Sequence, residues 1–257
     1  MKVAIVIPAR LASNRFPRKI LHNILGLPMI EHVRRRCLLV SAELNVYIAT
    51  CDPEIGEVIE GFGGSVIMTS PTHENGTSRT AEAIENIDCS HVILVQGDEP
   101  LVLPRHIEYL FESMKKKPDL LAWNMTSNIT NINELDDKSI VKCAIGRGGK
   151  ILYCFRRSPS YAISDELCTY TQKMMGMIGF RKDFLVSFSR IETSRIANIE
   201  SIEQLSIIDA GFNLNSLRVE PSLPSVNTPD ELLKVLDILK SDPLQIDLLN
   251  SIILSSK

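Results

Sequence analysis

Three short stretches of this chain carry residue types that could do chemistry together. From Ile7 to Lys19 it reads IPARLASNRFPRK, with Arg10, Arg15, Arg18 and Lys19 inside ten residues and no acid among them. The stretch SPTHENGTSR (70–79) supplies Gly, Ser, Thr and His and ends in Arg79, and GDEP (97–100) supplies Asp98. Cations and backbone N–H groups bind phosphates, and a carboxylate at a strand end binds a hard metal ion. Together they describe a site for a nucleoside triphosphate with Mg2+. Each stretch also has a plainer reading. The cation run could be a solvated face, Asp98 could cap the turn that Asp-Glu-Pro favours, and Arg79 could pair with Glu82 along a helix.

Position favours the chemical reading. VAIVIP (3–8) reads as a buried strand, β-branched and ended by Pro. The pattern predicts a helix from Pro28 through PMIEHVRRRCLLV, a strand at NVYIATC (45–51), a helix over 53–62 closed by Gly63-Gly64, and a strand at SVIMT (65–69). A helix over 77–87 capped by Thr77 or Ser78, a strand over 91–97 and a helix over 104–117 follow. Four alternations of strand and helix predict an α/β fold, with a mostly parallel, Rossmann-like sheet and helices on both faces. Ligands of such sheets bind beyond the carboxyl ends of the strands, where all three stretches lie. Past residue 120 the rhythm changes. IVKCAI, GRGG and KILYCFRR predict a hairpin, of the kind that leaves a sheet as a small lobe. MMGMIGF and NLNSLRVE read as strands, and IESIEQLSIIDAG and TPDELLKVLDILKSD as helices.

Composition narrows the class. The 257 residues carry a net charge of -3 and are 44% hydrophobic, which suits one domain over 1–257 with about 120–180 contributing the lobe. The negative charge argues against non-specific nucleic-acid binding, so a basic site must be local. No apolar run reaches the roughly 18–20 residues of a membrane span. The N-terminus lacks a signal-peptide pattern, which gives the expectation of a cytoplasmic protein. The six cysteines are scattered without a CxxC pair and read as reduced core thiols. There is no GxxxxGK[ST], and no GxGxxG after a strand.

With these motifs in place, IPARLASNRFPRK, GLPMIEHV, VIMTSPTHENGTSRTAE, ILVQGDEPLV and VNTPDEL resemble the 3-deoxy-manno-octulosonate (Kdo) cytidylyltransferases from residue 3 to about 236. The resemblance implies a nucleotidyltransferase fold with a dimerisation lobe. The activity implied is CMP transfer from CTP to a keto-deoxy sugar acid with release of pyrophosphate, in a Mg2+-dependent cytoplasmic homodimer serving lipopolysaccharide biosynthesis. It implies that Arg10 and Lys19 hold the triphosphate with Ser13 and Arg15 nearby, and both cations are expected to be exposed. Pro8, Ala9 and the segment from His73 through Gly76 to Arg79 enclose cytosine and ribose. Asp98 takes the metal. Gln96 and Gln204 line the sugar-acid pocket, with Glu203 beside them. Four positions depart from the family pattern. Arg18 replaces a usual Gly, Met174-Met175-Gly176-Met177-Ile178 replaces His-x-Gly-Ile-Tyr, Asn227 replaces a second metal carboxylate, and Ala197 stands near the place of an acid. The nucleotide half is therefore intact and the sugar and metal half altered. A cytidylyltransferase for another acid, such as a nonulosonate or a phosphonate, is the alternative, and a CTP-binding protein without catalysis a third.

Overall fold

In the computed structural model, which describes residues 1–161, 164–192 and 194–254, a single mixed sheet organises the chain. Val3–Ala9 forms β1, in which Val3, Ile5 and Ile7 turn to one face and Val6 to the other, all of them buried. Asn23–Ile24 (β2) and Leu27–Pro28 (β3) pair as a small separate ribbon before helix α1, Met29–Leu38. The predicted alternation then follows. It comprises β4 (Asn45–Thr50), α2 (Pro53–Gly61), β5 (Ser65–Met68), α3 (Gly76–Ile84), β6 (His91–Val95) and α4 (Pro104–Lys116).

Beyond residue 120 come β7 (Ala122–Asn128), β8 (Lys142–Ile145), β9 (Ile151–Phe155), α5 (Ser164–Leu167) and β10 (Thr171–Arg181). They are followed by α6 (Lys182–Phe188), α7 (Arg195–Glu200), α8 (Gln204–Asp209), β11 (Leu214–Arg218), α9 (Pro229–Ser241) and α10 (Pro243–Leu254). The sheet order is β11-β7-β10-β6-β1-β4-β5. Only β10 is reversed along this path: it is antiparallel to β6 and β7, while β1 is parallel to β4 and β6, β4 to β5, and β11 to β7. The carboxyl ends of the other six strands therefore share one edge. The hairpin of β8 and β9 is hydrogen-bonded to the sheet through the first three residues of β10.

The alternation of β1 and β6 builds a core on each face. One packs Ile30 and Val33 of α1, Ile55 and Ile59 of α2, and Ile107 and Leu110 of α4. The other packs Ala81 and Ile84 of α3, Phe184 and Leu185 of α6, and Leu205 and Ile207 of α8. Burying an aliphatic side chain of this size stabilises by about 1.5–3 kcal/mol, so packing on both faces anchors the sheet between helices. A third cluster joins Leu232, Val235 and Leu239 of α9 to Ile24, Met29, Leu101 and Val226. It brings the segment before α9 against the strand ends.

Several elements differ from the sequence reading. The helix expected over IESIEQLSIIDAG is two helices, broken at Ser201 in the left-handed region (φ 52°). The third predicted helix begins earlier, at Gly76, and its cap is Asn75 rather than Thr77 or Ser78. The short Asn75 side chain accepts the Ser78 N–H at 2.9 Å. The pattern reading also gave no place to β7, α6 or α10. Among the described residues no helix is long and apolar enough to cross a membrane. The six cysteines are free, and Cys37, Cys143 and Cys154 are buried.

Candidate active site

The cation loop leaves β1 at Arg10 and is held from both sides. Leu11 N–H donates to Asp52 Oδ2 (2.8 Å) at the end of β4, and Arg18 pairs with Glu54 of α2. Arg18 sits at φ 58°, a conformation that L side chains adopt at a penalty and glycine adopts freely. That explains why glycine would be the usual residue there. The loop closes on a short 3-10 turn, Lys19–Leu21, which turns Lys19 inward. Its Nζ donates to Asp98 Oδ2 (2.6 Å) and to the Val226 carbonyl (2.8 Å). Lys19 is therefore not exposed, as the sequence led us to expect; its side chain is 12% accessible. Arg10 is exposed and makes no hydrogen bond among the described residues.

The second loop is braced by its own polar groups. Arg79 is buried and donates to Thr69 Oγ1 (2.5 Å) and the Ser70 carbonyl (3.3 Å), so it shapes the loop rather than pairing with Glu82. Glu82 instead accepts the Ser70 N–H and bonds His73, and the His73 contact holds its carboxyl below the usual range. Gly76 allows a close approach: a Cβ there would lie 3.0 Å from Pro8 Cγ and 3.3 Å from Gln96 Nε2.

These loops meet in a cleft of about 520 Å³. Of the residues singled out from the sequence, Pro8, Ala9, Arg10, Ser13, Arg15 and Lys19 line its first wall. His73, Gly76 and Arg79 form a second, and Gln96, Asp98 and Asn227 a third. Asp98 is bonded by Lys19 instead of capping a turn, and its backbone carbonyl accepts Val226 N–H (2.9 Å), which places Asn227 beside it. Asn227 Oδ1 accepts from Arg15 Nη2 at 2.9 Å. Gln204 lies instead on a neighbouring cavity of about 620 Å³, which meets the first at Asn227 and also takes in Met174, Met175, Glu99 and Lys173. Glu203 lies between α3 and β6, bonded to Thr77 N–H and Gln96.

A family model for cytidylyltransferases matches residues 4–216. The chain belongs to the cytidylyltransferase family. It is 38% identical over 235 residues to the 3-deoxy-manno-octulosonate cytidylyltransferase of Escherichia coli, covering 91% of this chain and 94% of that one. The enzyme of the same description from Geobacter metallireducens is 34% identical over 253 residues, covering 93% and 98%. A solved structure of CMP:2-keto-3-deoxy-manno-octonic acid synthetase complexed with CTP matches with a TM-score of 0.87 and 35% identity, over 94% of this chain and 100% of that one. A Leptospira borgpetersenii cytidylyltransferase, 14% identical with a TM-score of 0.65, shares the fold.

This cytidylyltransferase has site features that the sequence reading missed. Glu99 follows Asp98 and faces the second cavity. Burial, with Asp98 beside it, pushes its carboxyl up to about 8, against the Gly176 N–H and Lys19, which favour the ionised form. A Cβ at Gly176 would overlap the Glu99 carboxylate, so the irregularity of β10 between Met174 and Ile178 needs glycine there. Ser201 lines the first cleft because the break between α7 and α8 carries it there, and Arg156 holds that break by donating to the Glu200 and Ser201 carbonyls (3.1 and 3.0 Å). The acid of QGDEP was visible in the sequence; the Arg156 contact, 44 residues distant, had no local signal.

Proposed function

We propose that this cytidylyltransferase transfers CMP from CTP to 3-deoxy-manno-octulosonate, releasing pyrophosphate. The observation that carries the reading is the meeting of Arg10, Lys19 and Asp98 in one cleft that opens at Asn227 onto a second, acceptor-sized cavity. The anomeric hydroxyl forms a bond to the α-phosphorus, the bond to the bridging oxygen of pyrophosphate breaks, and the hydroxyl proton leaves. No covalent enzyme intermediate is needed, so the protein's work is positioning and charge stabilisation. Arg10, whose side chain has no partner among the described residues, and Lys19, largely buried and bonded to Asp98, are the donors aimed at the phosphoryl oxygens.

The donor set fits Mg2+, which takes one or two carboxylates and completes its shell with phosphates and water. Lys19 bonds one Asp98 oxygen, the other has no hydrogen-bond partner among the described residues, and the Asn227 carboxamide stands beside it. Asp98 and Asn227 would hold the ion, which supplies charge neutralisation and acidifies a bound hydroxyl. The same reading makes the protein a cytoplasmic homodimer in lipopolysaccharide biosynthesis, and light scattering of the purified chain tests the dimer.

A second reading is favoured by one observation: Met174 and Met175 line the second cavity where a polar edge is usual in the resembled family. It assigns the same transfer to a different acid, a nonulosonate or a phosphonate. Pyrophosphate release with CTP, Mg2+ and a panel of these acids decides. Turnover with Kdo at least tenfold above the others is expected, and preference for another acid would overturn the first reading.

A further inference from the structure

Arg156, directly after β9, directs its guanidinium at three backbone carbonyls. Nε donates to that of Glu200 (3.1 Å), Nη2 to that of Ser201 (3.0 Å) and Nη1 to that of Lys138 (2.7 Å). The first two belong to the break after α7. There Ser201 sits at φ 52°, and Ile202 N–H closes back on the Ala197 carbonyl (3.1 Å). Glycine is the usual residue at the left-handed position of such a helix end. Serine holds that conformation at a penalty, and a cation bonded to the last carbonyls of the helix offsets it. Among the described residues, only Ser201 and Asn227 bring the chain beyond Asp98 to the wall of the first cleft.

The third carbonyl lies on a different wall. Lys138 stands between Asp137 and Ser139, which both line the second cavity. This turn is braced within itself. Asp137 Oδ1 accepts the Ser139 N–H and hydroxyl (2.8 and 2.7 Å), and the Asp137 carbonyl accepts from Lys142 Nζ (2.7 Å). The turn therefore follows the guanidinium as a unit. One planar fork with fixed donor directions joins a wall of each cavity.

We propose that Arg156 is a positioning residue that couples the two cavities: a nucleotide seated against Ser201 sets, through this guanidinium, the turn at Lys138 on the acceptor side. By linkage, an acceptor in the second cavity tightens the nucleotide by the same factor. This rests on the reading of the first cleft as the nucleotide site and of the second cavity as the acceptor site, whichever acid the acceptor is.

Hydrogen–deuterium exchange of the purified protein, with and without CTP and Mg2+, reads the coupling without turnover. In the parent, CTP is expected to slow exchange in peptides over 70–79, 198–203 and 136–141. In Arg156→Gln the protection over 136–141 is expected to be lost while that over 70–79 stays, and the CTP Kd by calorimetry to rise about fivefold, the lower end of usual coupling between sites. Ser201→Gly separates the coupling from the local fold, because glycine takes the left-handed conformation freely. In the double variant the CTP Kd is expected within about twofold of that of Ser201→Gly alone, with 136–141 still unprotected. Protection over 136–141 that is absent from the parent, persists in Arg156→Gln or returns in the double variant overturns the proposal; in the last case Arg156 only shapes the break. Should Arg156→Gln not fold, Arg156→Lys carries the same comparison, since an ammonium lacks the fork that spans both segments. A parent that binds CTP and transfers CMP to no sugar acid would sink the proposed function and leave this test standing.

Discussion

Arg10 and Lys19 share a loop and a charge but differ in their neighbours. Arg10 is exposed and its side chain has no partner among the described residues, so Arg10→Ala removes a donor without disturbing packing. We expect kcat/KM for CTP to fall by about thirtyfold to a thousandfold, the 2–4 kcal/mol typical of a donor aimed at developing charge, with Tm unchanged. Lys19→Ala should lose as much activity and also stability. It leaves Asp98 and the Val226 carbonyl without their donor, a cost of about 1–3 kcal/mol for a part-buried group. Steady-state kinetics and thermal unfolding on both variants check this; equal Tm values would mean the Lys19 pair does nothing for the fold. The same neighbourhood gives Asn227 a measurable role. An amide oxygen binds Mg2+ less well than a carboxylate, and a deficit of one to two decades corresponds to about 1.4–2.8 kcal/mol. Asn227→Asp should lower the Mg2+ concentration for half-maximal activity at saturating CTP by about tenfold, less whatever Arg15 retains by pairing with the new charge. An unchanged or higher requirement would place residue 227 away from the ion.

At the scale of elements, the nucleotide side could be read from the sequence because each of its loops follows a short, strongly apolar strand. VAIVIP and HVILV are too regular to mistake, and Arg10, His73 and Asp98 lie within a few residues of a strand end. The acceptor side could not be read this way. It is assembled from the irregular middle of β10, the break at Ser201 and the segment before α9, which are joined by contacts such as Arg156 to Glu200 that leave no trace in local pattern. Helix α1 shows the same limit. Its apolar stripe was legible, but Glu31, His32, Arg34, Arg35 and Arg36 are buried too, because distant segments close over them: the Phe62 carbonyl meets Arg34, the Ile24 carbonyl His32, the Val102 carbonyl Arg36, and α10, which the pattern reading passed over, Arg35. Glu31 accepts from Arg34 and Arg35 Nε (2.6 and 2.5 Å), Arg35 Nη1 donates to the Ile252 carbonyl (2.6 Å), and Gln245 Nε2 holds the Leu101 carbonyl (3.1 Å). A chain ending at Asp242 would open this layer. Exposure of Ile252 and its apolar neighbours costs roughly 3 kcal/mol or more. We therefore expect a Tm lower by about 6–12 °C in thermal unfolding; a shift under about 2 °C would mean α10 is peripheral.

Across the whole molecule, buried titratable groups of opposite sign set how stability depends on pH. His32 is fully buried. Its Nε2–H donates to the Ile24 carbonyl (2.7 Å), while Nδ1 has no partner among the described residues. Burial, aided by Arg36 and Arg35, lowers its pKa from 6.5 to about 4. Burial lowers His91 and His106 as well. As pH falls from 6.5 to 4, an unfolded chain takes up the His32 proton and the folded one does not. The unfolded state is favoured progressively, by about 3 kcal/mol in all for this residue. Glu99 acts in the opposite sense. Its carboxyl stays protonated in the folded state up to about 8 but only to 4.5 when unfolded, so falling pH favours the folded state across that range. Between 4.5 and 6.5 the two slopes offset, and the parent protein alone would show neither. His32→Gln separates them, because a glutamine can donate to the Ile24 carbonyl and does not titrate. The difference in unfolding free energy between variant and parent, from urea melts at a series of pH values, should be constant above pH 7. It should move in the variant's favour by about 1.4 kcal/mol per pH unit from 6.5 down to 4. Parallel profiles across that interval would mean that His32 takes up its proton in the folded protein as readily as in the unfolded one, and that the carbonyl-bonded, half-satisfied imidazole does not limit stability in acid.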